Sequence, residues 1–187
     1  MRYFKLDWNT ERKTYAFVGE LVVSDQLQAM FDRGVPLASE EITMRVVNLA
    51  GEFPDILVGG PVSPVVSLDF VSMLTETVDS SEFQTLDVDV SNRSHVPEYF
   101  FLNILNGEDA IDETRSKLHR LPADIFPEDQ DKILSAEALV IDERKLGDRK
   151  IFRLAKMRTS VFVREDLKTD IEQTCPKGVR FEELPGR

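Results

Sequence analysis

Two stretches of the chain concentrate residues able to do chemistry. The first is FFLNILNGEDAIDETRS, residues 100–116. Here an apolar run breaks at Asn106-Gly107, and Glu108, Asp109, Asp112 and Glu113 follow in close succession. Carboxylates delivered together could ligate a hard cation, which needs several oxygens converging at about 2.3–2.6 Å. The run lacks the D-x-D-x-D-G spacing of an EF-hand loop. Asp109 with Asp112, Glu108 with Asp112, or Asp109 with Glu113 could share one face of a helix. That pattern also describes an ordinary acid-rich first turn. A surface for a basic partner is a third reading.

The second stretch is Asp142-Glu143-Arg144-Lys145. An E-x-K triplet at the end of an apolar strand is how restriction-type nucleases place carboxylates on Mg²⁺ and a lysine near phosphate. Asp124 or Asp129 could supply the upstream acid. This makes a Mg²⁺-dependent hydrolase or nuclease-like enzyme, using Asp142, Glu143 and Lys145, the alternative function. E-x-K is common by chance, however, and here it runs into Gly147-Asp148, which reads as a hairpin tip. The formal net charge of −11 would also repel a nucleic-acid substrate.

Other candidates carry less. His95 and His119 have no nucleophile context, and no Gly-x-Ser-x-Gly elbow occurs. His119 reads as a surface or helix-end residue. Cys175, the single cysteine, excludes an internal disulfide and a cysteine-rich zinc site, and reads as a buried, incidental thiol. Gly59-Gly60 is not followed by the Lys-Ser/Thr of a phosphate loop. Tyr99, Phe100 and Phe101 read as core. No cofactor is expected.

The elements that must position these residues follow from periodicity. MRYFKLDW alternates, with Phe4, Leu6 and Trp8 on one side. Residues 15–23, 42–49, 82–90, 98–105 and 136–143 read as strands, and 136–155 as a hairpin. IFRL, SVFV and VRFEEL add further strands. Residues 24–31 read as a short helix. Residues 51–64 and 121–133, rich in Gly, Pro or acids, read as loops. Residues 109–118 read as one helical turn or a loop. SLDFVSMLTETV, opened by Ser67, and REDLKTDIEQT, closed by Pro176 and Gly178, read as amphipathic helices.

These two helices sit in similar surroundings. Each follows a strand end, has an acid near its start (Asp69, Asp166), and leads to a strand around a phenylalanine (Phe83, Phe181). Phe70, Leu74, Leu167 and Ile171 should anchor them in the core. The expected fold class is α+β: mostly antiparallel strands, two or three short helices, and two similar helix-then-strand units.

The 187 residues are 42% hydrophobic and 30% charged, enough for one good core. No apolar run approaches the roughly 20 residues of a membrane span, and the N-terminus shows no signal-peptide core. A cytoplasmic protein is expected, with neither membrane nor nucleic acid as partner, acting as a monomer or homodimer. The charge is uneven. Asp79–Glu113 holds nine acids against Arg93 alone, a net of −8, which favours a basic partner.

Five ordered pieces then resemble a known family: Pro54-Asp55-Ile56-Leu57, Leu102-Asn103, Asp109-Ala110-Ile111-Asp112, Ile151-Phe152-Arg153-Leu154 and Gly178-Val179-Arg180-Phe181. In order and spacing they resemble the eleventh immunity-protein family of bacterial polymorphic toxin systems, over about residues 50–185. Arg164 stands where that family often has Ser. Residues 1–49 are read as a β-rich N-terminal extension within a single immunity-type domain, 1–187. The resemblance implies a non-catalytic protein that binds and neutralises a cognate toxin, without cofactor, in the producer's cytoplasm. It makes the acids at 108–113 structural or interface residues. Asp112 would pair with Arg115 or Arg153. Glu108 and Glu113 would be freer to face the partner, as would Asp87 and Asp89.

Overall fold

The alternation of the first residues becomes strand β1, Tyr3–Trp8. The computed structural model describes residues 1–8, 17–22, 34–37, 42–47, 52–57, 64–90, 96–105, 107–120 and 132–184. The helix expected at 24–31 and all but the end of the loop expected at 121–133 lie outside them, as do His95, Asp124, Asp129 and Gly59-Gly60; Ile133, expected in that loop, begins a strand. Further strands are β2 Phe17–Val22, β3 Ile42–Val47, β4 Ile56–Leu57, β5 Val65–Ser67, β6 Phe83–Val90, β7 Tyr99–Ile104, β8 Gly107–Glu108 and β9 Lys117–Arg120. They continue as β10 Ile133–Ala138, β11 Ile151–Leu154, β12 Met157–Arg164 and β13 Val179–Glu183. The helices are α1, Leu68–Thr77, and α2, Glu165–Thr174. The α+β expectation is met, with strand in excess. No helix among the described residues is long and apolar enough to cross a membrane.

The strands form a five-stranded sheet, β13-β1-β12-β11-β8, a six-stranded sheet, β2-β3-β6-β7-β5-β4, and the β9–β10 ribbon. The two helix-then-strand units share one topology. β5 and β6 both run antiparallel to β7, which lies between them, and α1 connects them. β12 and β13 likewise flank β1, and α2 connects them. Each unit is a split β-α-β with an antiparallel strand inserted.

Each helix is fixed locally and then packed. Ser67 is the N-cap of α1 and accepts from the Phe70 N–H at 3.3 Å, a contact of about 1 kcal/mol. Asp69 favours the positive helix start. The N-cap of α2 is Arg164, which makes no side-chain cap bond. Its guanidinium instead forks onto Asp166 in the first turn, at 2.7 Å to each oxygen. The Arg in place of Ser has therefore replaced a cap with a bidentate ion pair.

Both helices enter one core. Phe70, Met73 and Leu74 of α1 and Leu167 and Ile171 of α2 join Phe4, Leu6, Val66, Leu102, Ile104, Ile151, Val161 and Val163 in a single buried cluster. The four expected anchors are fully buried. Alternate residues of the five-stranded sheet face a second cluster of Tyr3, Phe152, Leu154 and Phe162 with Ala110, Ile111, Ile133, Leu139 and Leu146. Burial on both faces explains why IFRL and SVFV read as continuous apolar runs. Tyr99 and Phe101 are core, as expected, and Phe100 is half-buried against it.

The hairpin expected across 136–155 does not form. β10 begins earlier, at Ile133, and pairs with β9. β11 turns at Ala155-Lys156 and pairs with β12. The chain leaves β10 because residues 140–142 bond another segment. The Asp112 N–H donates to the Val140 carbonyl, the Asp142 N–H donates to the Ala110 carbonyl, each at 2.9 Å or less, and Ile111 bridges Ile141. Asp142 then caps the 3-10 turn Glu143–Lys145. Residues 113–115 make a turn and β9 follows, so His119 is exposed on a strand and not at a helix end.

Candidate functional site

The Ile111–Ile141 bridge brings the two suspected stretches, 108–113 and 142–145, side by side. Their charges alternate in sign. Lys145 Nζ lies 3.6 Å from the Asp109 carboxylate and donates to the Asp109 carbonyl at 2.8 Å. Arg144 forks onto Asp142 at 2.9 Å to each oxygen. The N-terminal ammonium lies 3.4 Å from Glu143. Hydrogen bonding from Arg144 holds the Asp142 carboxyl below its usual range. Each acid of the E-x-K stretch thus meets a cation of its own. Among the described residues, no group of three or more His, Cys, Asp or Glu could hold a metal ion.

The acids after β7 are also engaged. Asp112 accepts from the Thr114 hydroxyl at 2.7 Å and from the Thr114 and Arg115 N–H groups, and it pairs with Arg115 at 3.9 Å. The Thr114 hydroxyl leads in holding its pKa down. Arg153, the other expected partner, is buried in β11. Glu108 meets Arg149 at 2.5 Å, with both side chains less than a third exposed. Glu113 accepts from Lys156 and Arg120, each at 2.6 Å, and the Lys156 hydrogen bond lowers its pKa first. Glu108 and Glu113, expected to stand freer than Asp112, are ion-paired as Asp112 is. Both tie distant segments together, Glu113 joining β9 to the β11–β12 turn. Their partners are remote in sequence, so spacing could not have revealed them.

Asp87 and Asp89 are exposed on β6. Asp87 lies opposite Phe100 in the β6–β7 register. With Glu98 it edges a cavity of about 430 Å³. Cys175 is fully buried, and burial pushes its thiol up to about 11.

Sequence reading missed a second constellation, where the first and last family pieces meet. The Asp55 carboxylate accepts from the Lys177 N–H at 2.8 Å and from the Ser67 hydroxyl at 3.5 Å. The Asp55 N–H donates to the Lys177 carbonyl, and the Ser67 N–H donates to the Asp55 carbonyl, each at 2.9 Å. The Tyr99 hydroxyl donates to the Pro54 carbonyl at 2.7 Å. Burial raises the pKa of Asp55 against these hydrogen bonds, and burial raises Tyr99 as well. Gly178 closes the contact at φ 81°, where a Cβ would stand 2.6 Å from the Ile56 carbonyl oxygen. The clamp joins the start of α1 to the turn after α2. The signal available in sequence was Pro54-Asp55 before a short apolar run, together with Gly178 two residues past Pro176.

Fold and geometry define an α+β protein built from two split β-α-β units, clamped together and edged by a seam of alternating charge. The chain belongs to the Immunity protein family (Imm11), whose model matches residues 8–185. The resemblance read over about 50–185 thus extends to residue 8. β1, close to that limit, lies inside the five-stranded sheet between β12 and β13. No curated protein matches the chain significantly.

Proposed function

We propose that this protein binds a cognate bacterial toxin and neutralises it without catalysis, in the cytoplasm of the cell that makes both. Membership of the immunity family over residues 8–185 carries this reading. The net charge of −11 favours a basic toxin over a nucleic acid or an anionic membrane as partner. The protein acts as a monomer or homodimer and needs no cofactor. The ion pairs around Asp142, Glu143 and Lys145 favour a structural role for that triplet over the hydrolase alternative.

The test is a titration of the toxin encoded beside its gene. Toxin activity should fall in proportion to added protein and vanish at equimolar ratio, with a stable complex on size-exclusion chromatography. Protection at a small fraction of the toxin concentration would mean turnover. Mg²⁺-dependent cleavage of DNA or RNA, abolished by Glu143→Ala, would put the enzyme reading in its place.

A further inference from the structure

The acids of the 79–113 segment divide into two kinds. Glu82 is buried and accepts from the Lys150 and Ile151 N–H groups, at 2.8 and 3.0 Å. Glu108, Asp109, Asp112 and Glu113 each have a cation within 4 Å. Asp87 and Glu98 differ. Both are exposed, and among the described residues neither has a hydrogen-bond or ion-pair partner.

These two acids edge the same groove, about 430 Å³ in volume, with Val96, Pro97 and Phe100 among its lining. Asp87 is the cross-strand neighbour of Phe100. Glu98 lies two residues before Phe100, just outside β7, and lines the same groove. The result is a groove with the Phe100 ring in its lining, two carboxylates at its edge and, among the described residues, no basic residue. Two carboxylates at one mouth, neither paired among the described residues, attract a cation.

We propose that this groove is the docking point for an arginine side chain of the basic partner. The inference rests on the toxin-binding reading above and adds where and how the toxin is held. Charge complementarity selects a cation. The Phe100 ring selects arginine over lysine. A guanidinium is weakly hydrated, packs against an aromatic ring, and offers a planar fork to carboxylates. Its methylene stem covers the apolar wall contributed by Val96 and Pro97.

Two measurements decide this. The first uses N-acetyl-arginine amide as a probe, with the neutral isostere N-acetyl-citrulline amide beside it, in an amide NMR titration of the whole chain. The arginine probe should shift the signals of Val96, Glu98, Tyr99 and Phe100, the citrulline probe should not, and Asp87→Asn/Glu98→Gln should abolish the effect. Equal shifts from both probes, or none, would overturn the cation site. The second compares binding of the neighbouring toxin at low and high salt for the wild type, Asp87→Asn/Glu98→Gln, and Glu76→Gln on α1. The groove variant should bind about tenfold or more weakly with a flatter salt dependence, while Glu76→Gln binds as wild type. An unchanged groove variant overturns the docking role and leaves toxin binding standing. A wild type that neither binds nor inhibits the toxin overturns the functional reading itself, whatever the NMR titration gives. Matching melting temperatures for all three proteins keep the comparison free of folding effects.

Discussion

Gly178 and Gly147 both adopt left-handed backbone, at φ 81° and 60°. A side chain in that region costs roughly 1–2 kcal/mol. At Gly147 nothing lies within 4 Å of the place a methyl would take, whereas at Gly178 the methyl would meet the Ile56 carbonyl and Pro54 below 3 Å. Gly147→Ala should therefore lower the melting temperature modestly. Gly178→Ala should lower it distinctly more, because it also forces the clamp apart. Equal losses in thermal denaturation would mean that the Pro54–Ile56 segment simply yields. The sequence pointed to acids by type and spacing, and type and spacing say nothing of partners. Glu108 finds Arg149 and Glu113 finds Lys156 only because β8 lies beside β11 and the ribbon lies over the β11–β12 turn. Gly178 was read as a helix stop, which it is. Its second role depends on residues 54–56, far away in the chain.

At the scale of elements, α2 shows how a helix start works without a cap. Asp166 is held down to about 2, chiefly by the Arg164 hydrogen bonds, with the Leu167 N–H and Lys150 assisting. Its folded-state pKa is below the ordinary carboxylate value. Its stabilising effect is therefore complete above that value and is lost as pH falls toward about 2. Asp166→Asn should be less stable than the wild type near neutral pH, by a small margin because the carboxylate is 46% exposed. The two melting temperatures should converge as pH drops from about 4 to about 2. A constant gap across that range would assign the loss to something other than the carboxylate charge. Both described helices were legible because an acid near the start and an apolar stripe agree locally, with a cap besides in α1. The β9–β10 ribbon was not. Its pairing skips the 121–131 segment, and β10 is half polar, with Leu134 exposed. The true β11–β12 turn, Ala155-Lys156, holds no Gly, Pro or Asn to announce it.

For the whole molecule, the clamp and the shared cluster link the two split β-α-β units, which should therefore unfold together. Phe70 and Leu74 from the first unit touch the same core as Leu167 and Ile171 from the second. The chain has one tryptophan, Trp8, the last residue of β1 in the second unit. Leu74→Ala empties space in the first unit and should cost about 2–5 kcal/mol. If the units unfold together, the Trp8 fluorescence transition in urea must shift to the same lower midpoint as the circular-dichroism transition, which reports all elements. Leu167→Ala should do the same from the other side. A Trp8 midpoint unmoved by Leu74→Ala, with circular dichroism splitting into two steps, would show two bodies that merely touch. One body has a consequence for binding. The β6–β7 groove sits on the sheet of the first unit, and the charged seam sits against the second. A toxin held at Asp87 and Glu98 would meet a groove whose Tyr99 is buried and whose Phe100 packs against the core. Core variants should then weaken toxin binding only as far as they unfold the chain, not by reshaping the groove.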